Sequence, residues 1–276
     1  MNAIALALRD AAAALSPVTQ TPRLDAELLM AHALGIPREA LLLGRHDGAV
    51  PPGFATLLAR RLRHEPIAYI TGTRAFWTID LAVGPGVLVP RADSETLIEA
   101  AVEHFAGTSG PRTILDLGTG SGALLLAALD QWPEATGIGI DASDTAIKVA
   151  RGNVRRLGMT GRARILSGGW TGTGGAHDLI LCNPPYVATG DTLPPEVRDF
   201  EPASALFAGA DGLDDYRRIA PLIGGQIAPG GIAAIEIGHA QAVAVTALLR
   251  AEGLPARVRR DLAGHDRCII VYPVRL

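Results

Sequence analysis

The chain has 276 residues, a net charge of −3 and a hydrophobic fraction of 48%, enough for one large domain with a smaller module and an ample core. That charge provides no global basic field to hold a polyanion, and aromatic residues, at 4%, leave few platforms for stacking bases. A nucleic-acid partner is therefore not expected.

The opening Met1–Leu8 is apolar, but it lacks a basic start and is interrupted by Arg9-Asp10. It reads as a helix, not a signal peptide, and no apolar run is long enough to span a bilayer. A cytoplasmic protein follows. The first helix is expected over Asn2–Ser16, ending before Pro17. Thr21 is an expected N-cap with Pro22 at the first helical position, and helical spacing runs from Leu24 to Leu34, stopping at Gly35. Pro37 opens a short helix closed by Gly44, and Pro51-Pro52 opens a fourth carrying Phe54, Leu57, Leu58 and Leu62. Arg60, Arg61, Arg63 and His64 read as a solvated face, the alternative being a docking surface for an acidic or nucleic-acid partner. Residues 69–90 alternate and are punctuated by glycines, which predicts a β-hairpin or extended linker. A loop at 91–94 then enters an amphipathic helix.

Beyond Pro111 strands and helices alternate. Strands are expected at 113–117, 136–140, 164–166, 178–182, 232–237, 256–261 and 267–272. Helices are expected at 122–131, 144–157, 216–227 and 240–252. This βαβα rhythm predicts an α/β fold with a mostly parallel sheet covered on both faces. The short turn 262–266 forces the last two strands antiparallel. Cys182 and Cys268 lie in apolar runs and read as buried thiols; no metal-ligand spacing is present.

Strand 113–117 runs into Gly118-Thr119-Gly120-Ser121-Gly122 and a helix. Glycines let the backbone turn sharply and approach a ligand, and in an open α/β sheet this loop lies where ligands bind. Asp141 ends the next strand, where a carboxylate can accept both hydroxyls of a ribose. The pair points to an adenosine-containing ligand; the alternative is a tight turn with no ligand. The order D-x-G-x-G-x-G, from Asp116, is not the dinucleotide fingerprint, and there is no Walker lysine. It resembles the S-adenosylmethionine site of class I methyltransferases.

Asn183-Pro184-Pro185-Tyr186 ends the fourth strand and resembles the (D/N)PPY motif of methyltransferases acting on planar nitrogens. An amide –NH2 has two donors. The Asn183 side-chain oxygen and the Pro184 carbonyl can accept one each, aiming the lone pair at a methyl donor and strengthening as positive charge develops. Tyr186 is expected to wall the flat substrate group. The alternative is that the prolines merely end a buried strand.

The motif does not choose between adenine, guanine and glutamine. HEPIAYITGTRAFW, VLVPRADSET, EVRDFEPASALFAGADGLDDYRRI and LAGHDRCIIV, in that order, resemble the peptide chain release factor glutamine N5-methyltransferase family over nearly the whole chain. The resemblance implies S-adenosylmethionine as donor, S-adenosylhomocysteine as product, and the glutamine of the Gly-Gly-Gln motif of class 1 release factors as acceptor. It further implies a helical substrate-docking domain over 1–68, a hairpin linker over 69–90 and a methyltransferase domain over 91–276. The fold implied is Rossmann-like and seven-stranded with an antiparallel last strand, and the protein is expected as a monomer. Gly118, Thr119, Gly120, Ser121, Gly122, Asp141, Trp170 and Asn183 would meet the donor. Asp116 would order the loop, and Asn183, Pro184, Pro185 and Tyr186 would meet the acceptor. The chain departs from the family at Ala92-Asp93-Ser94-Glu95, where P-E-T-E is usual, and at Gly169, where an acid usually precedes Trp170. A ribosomal-protein glutamine, a nucleic-acid amino group, or a donor-binding scaffold without catalysis are the alternatives.

Overall fold

The computed structural model describes residues 3–44 and 48–273; Asn2, the expected first helical residue, lies outside them. The chain divides into two compact units, one formed by residues up to Thr73 with 193–200, the other by 74–192 with 201 onward. Among the described residues no helix is long and apolar enough to cross a membrane.

The first unit is helical: α1 (Ala3–Leu15), α2 (Pro22–Leu34), α3 (Arg38–Leu43), α4 (Phe54–Leu62) and α5 (Ile67–Thr71). In α1, Ile4, Leu8, Ala11 and Leu15 recur at helical spacing and are buried in one core with Leu29, Met30 and Phe54. Thr21 stands at the start of α2, but its side chain makes no capping bond. Its hydroxyl instead donates to Asp25 Oδ1 at 3.0 Å.

One of the four expected solvated cations is buried. Arg61 is buried: its Nε donates to Asp25 Oδ2 at 2.8 Å and its Nη1 pairs with Glu196 at 2.8 Å. Arg60 is tied to Glu65. A guanidinium this deep must be neutralised, and Asp25 together with the segment carrying Glu196 supplies the carboxylates. Sequence spacing could not show this, because Glu196 arrives from far along the chain.

In the second unit, β1 (Thr73–Phe76) and β2 (Ile79–Ala82) form a two-stranded sheet. Trp77 turns it at φ 54°, anchored by its N–H donating to Glu95 Oε1 at 2.8 Å. After α6 (Glu95–His104) come β3 (Thr113–Leu117), α7 (Ala123–Gln131), β4 (Thr136–Asp141), α8 (Asp144–Arg156), β5 (Ala163–Ser167) and β6 (His177–Cys182). The short α9 (Pro195–Arg198) belongs to the helical unit. Then follow α10 (Asp214–Ile223), β7 (Ile227–Glu236), α11 (Ala242–Ala251), β8 (Ala256–Arg260) and β9 (Asp266–Val271).

The sheet order is β5-β4-β3-β6-β7-β9-β8, parallel except for β9, which is antiparallel to both β7 and β8. The antiparallel last strand and parallel core are as the sequence predicts. Leu115, Leu117, Ile180 and Ile235 pack with α10 and α11 in one core, while the alternate residues Ile114, Leu179 and Leu181 are also fully buried. Both faces are thus covered. Helix α7 is buried from Ala123 to Leu129 because it packs on β3 and β4 and also on β2.

Chain order reverses between β3 and β6: the sheet grows through β4 and β5 on one side and through β7 on the other. Such a switch point opens a crevice at the carboxyl ends of the strands.

Candidate active site

Both sequence motifs end at that crevice. Leu117 is in register with Cys182 on one side and Ile140 on the other. The turns after β3 and β6 and the end of β4 therefore meet. Gly118 and Gly120 adopt φ 73° and 56°, a region that disfavours a side chain. A Cβ on Gly118 would stand 3.3 Å from the Trp170 ring. The loop is pinned from three directions. Gly118 and Thr119 N–H both donate to the Ile140 carbonyl at 2.9 Å. Gly120 N–H donates to Asp141 Oδ2 at 2.8 Å. Asn153, fully buried on α8, donates to the Ser121 and Ala82 carbonyls and accepts from Ala82 N–H.

Asp116 sits beneath the loop. Its Oδ2 accepts from Thr119 Oγ1 at 2.6 Å and Leu125 N–H at 3.2 Å, while Oδ1 is buried with no partner. Burial raises its pKa to about 7, against the lowering by the Thr119 and Leu125 hydrogen bonds.

A cavity of about 530 Å³ opens here, a size that suits a nucleoside-sized ligand. Gly118, Thr119, Gly120, Ser121, Asp141, Trp170, Asn183 and Pro185 all line it. Gly122, Pro184 and Tyr186 are not on its wall among the described residues. Gly122 instead closes the turn through its N–H to the Thr119 carbonyl, and Tyr186 turns its hydroxyl to Glu236 Oε1 at 3.2 Å. Pro185 and Phe207 of the later loop line the cavity, whereas Tyr186 does not.

Several residues that sequence reading did not single out complete the site. Asp215, buried on α10, accepts from Trp170 Nε1 at 3.0 Å and fixes the indole. Glu201, also buried, accepts from Val89 N–H and pairs with Arg91, which lines the cavity, at 2.6 Å. Ser94 and Glu236 lie around Asn183: its Nδ2 donates to Ser94 Oγ at 3.1 Å. Glu236 closes an apolar strand much as Asp141 does, and that was its one sequence signal. Asp215 and Glu201 lie in the family-like stretch 196–219, but nothing in it assigned either acid a role.

A methyltransferase from Pyrococcus furiosus shares this fold with a TM-score of 0.54 at 17% identity, covering 79% of this chain and 97% of that one. A family model described as the Methyltransferase small domain matches residues 91–202, and one described as the PrmC N-terminal domain matches residues 7–72. Sheet order, glycine loop and domain match together define an α/β class I methyltransferase. The release factor glutamine methyltransferase of Rhodospirillum rubrum is 45% identical over 91% of this chain and 79% of its own length. That of Caulobacter vibrioides is 43% identical over 90% and 89%. The chain belongs to the release factor glutamine methyltransferase family.

Proposed function

We propose that the protein transfers a methyl group from S-adenosylmethionine to the side-chain amide nitrogen of the glutamine in the Gly-Gly-Gln motif of class 1 peptide chain release factors. One observation carries the reading: Asn183 shares a cavity wall with the glycine loop, and its Oδ1 accepts no hydrogen bond among the described residues. An acceptor without a partner at a switch-point cavity suits a substrate N–H.

The residues present fit the donor. Bare glycine backbone faces Trp170, and Asp141, at the rim, has lone pairs beyond those taken by Gly120 and Ser143 N–H. The orphaned Asp116 Oδ1 adds a buried acceptor beneath the loop. When bound, S-adenosylmethionine supplies an electrophilic methyl group. Gly118, Thr119, Gly120 and Ser121 would cradle it, with Gly122 closing the turn behind them, Asp141 would take the ribose hydroxyls and Trp170 would border the adenine.

The acceptor amide is a poor nucleophile because its lone pair is delocalised. Asn183 Oδ1 and the Pro184 carbonyl, to which no described backbone N–H donates, take its two N–H groups and turn the lone pair toward the donor. These hydrogen bonds strengthen as positive charge develops on nitrogen. Holding the partners in line removes entropic barrier worth up to about 7–11 kcal/mol in the best intramolecular cases. Pro185 packs beside the planar group, and Tyr186 supports the turn from behind. Residues 1–68 would dock the factor, 69–90 would link, and 91–276 would carry the chemistry, in a cytoplasmic monomer.

Incubation with labelled S-adenosylmethionine and a release factor tests this directly. Label is expected on the factor and absent when its Gly-Gly-Gln glutamine is changed. No label on either, with donor binding shown, would overturn the acceptor assignment and turn attention to a ribosomal-protein glutamine.

A further inference from the structure

Asn183 can meet a substrate N–H only if its amide faces the right way round, because its two ends differ in nothing but hydrogen-bonding sense. We propose that Ser94 and Glu236 are positioning residues that set this sense, so that the Asn183 oxygen and not its nitrogen faces the acceptor. The inference rests on the methyl-transfer reading above.

Parallel pairing of β6 and β7 places Ile235 beside Cys182, so Glu236 and Asn183 leave the sheet side by side. Glu236 and Ser94 are 1% and 4% exposed. The Glu236 carboxylate accepts from Tyr186 Oη at Oε1. Oε2 has no partner in good hydrogen-bonding geometry, yet the Ser94 hydroxyl is close enough to favour the charged form. An ionised carboxylate only accepts, and Ser94 has a single proton. With that proton turned to Glu236, Ser94 Oγ presents lone pairs to Asn183. Only the amide NH2 satisfies them, as observed at 3.1 Å. The reversed amide would set oxygen against oxygen at Ser94 and NH2 against the substrate NH2. The chain then runs in one direction, Asn183 donating to Ser94 and Ser94 to Glu236, which only accepts.

Protonation of Glu236 would remove the acceptor that fixes Ser94 and let the amide turn. Burial raises this carboxyl to about 7, opposed by Ser94, Arg267 and Tyr186 and aided by Asp93. The other groups facing it are Tyr216 from α10, Cys182 from β6 and Cys268 from β9, whose burial holds them protonated well above this range. Asp116, under the neighbouring loop, is also raised to about 7, so the variants must separate the two.

Steady-state methyl transfer to a release factor, from pH 6 to 9, tests the proposal on wild type, Ser94→Ala, Ser94→Thr and Glu236→Gln, with donor affinity by calorimetry. Ser94→Ala and Glu236→Gln should lower kcat about 10- to 100-fold, the scale of a misplaced reacting group, with KM for the factor and donor affinity within about threefold. Ser94→Thr, which keeps the hydroxyl, should restore most of kcat. Wild-type kcat should fall below pH 7, and that limb should vanish in Glu236→Gln. Wild-type kcat in either variant, a parallel loss of donor affinity, or an unchanged pH limb would overturn the proposal while leaving the functional reading standing. A wild-type protein that labels no release factor would overturn both.

Discussion

The two units differ in how they bury carboxylates: the second pairs Glu201 with Arg91 and Asp215 with Arg218, but it also buries two acids that have no arginine partner. In the helical unit each buried acid has an arginine: Asp25 has Arg61, and Glu27 has both Arg23 and Arg38. Burial raises the Glu27 pKa, but the Arg23 and Arg38 hydrogen bonds and charges outweigh it and hold the carboxyl low. In the methyltransferase unit Asp116 and Glu236 are buried with hydroxyl and amide donors, each leaves one oxygen without a partner, and burial wins. The difference teaches what each acid is for. A paired buried ion locks helices together, whereas an under-paired one is retained at a cost where a ligand or a hydrogen-bond direction is needed.

The largest break in this comparison is Arg61→Ala. It strands Asp25 and should cost the helical unit about 3–5 kcal/mol, read by urea unfolding followed by circular dichroism. A loss below about 1 kcal/mol would mean that the pair is effectively solvated. Next comes Asn153→Ala, which leaves the Ala82 N–H and the Ser121 and Ala82 carbonyls unpaired. It should cost about 2–3 kcal/mol and weaken donor binding in calorimetry, because the glycine loop loses its support.

Proton linkage sharpens the comparison further. Asp116, raised to about 7 when folded, contributes stability that is complete below its unfolded value near 4 and lost as pH rises through about 7. Glu27, held low when folded, contributes stability above its unfolded value that is lost as pH falls. Hydrogen exchange, corrected for intrinsic rates, should therefore show protection around Glu27 weakening toward acid and protection around Asp116 weakening toward pH 8. Asp116→Asn should stabilise the second unit at pH 8 by on the order of 1–2 kcal/mol, with the gain shrinking toward pH 5. The same direction of pH dependence in both regions would erase the contrast. Smallest of all is Arg198→Ala: its pair with Asp199 is exposed and adjacent in sequence, so thermal melting should not change measurably.

Most of the strand and helix pattern was legible because it obeys local rules. Short apolar runs, helix stops at glycine and proline, and the glycine loop between β3 and α7 depend on neighbours in the chain. Asp141 was visible because it closes a strand. What escaped were side chains whose meaning comes from distant partners. Arg61 reads as surface charge until Glu196 arrives, and Ser94 reads as a loop serine until Asn183 and Glu236 flank it. The segment 193–200, which joins the helical unit, has no compositional mark of its own.

By itself, the sequence determined the α/β class, the glycine loop at Gly118–Gly122 and the Asn183-Pro184-Pro185-Tyr186 turn, since these are short-range patterns of backbone freedom and hydrophobic period, while the family was legible only as a resemblance carried by long stretches of the chain. The tertiary structure alone decided that Pro185 and not Tyr186 lines the cavity, which acids are neutralised by arginine, and which way round Asn183 faces. Those depend on burial and on hydrogen-bond partners brought from other strands and helices, and chain order carries no record of either until the sheet has formed.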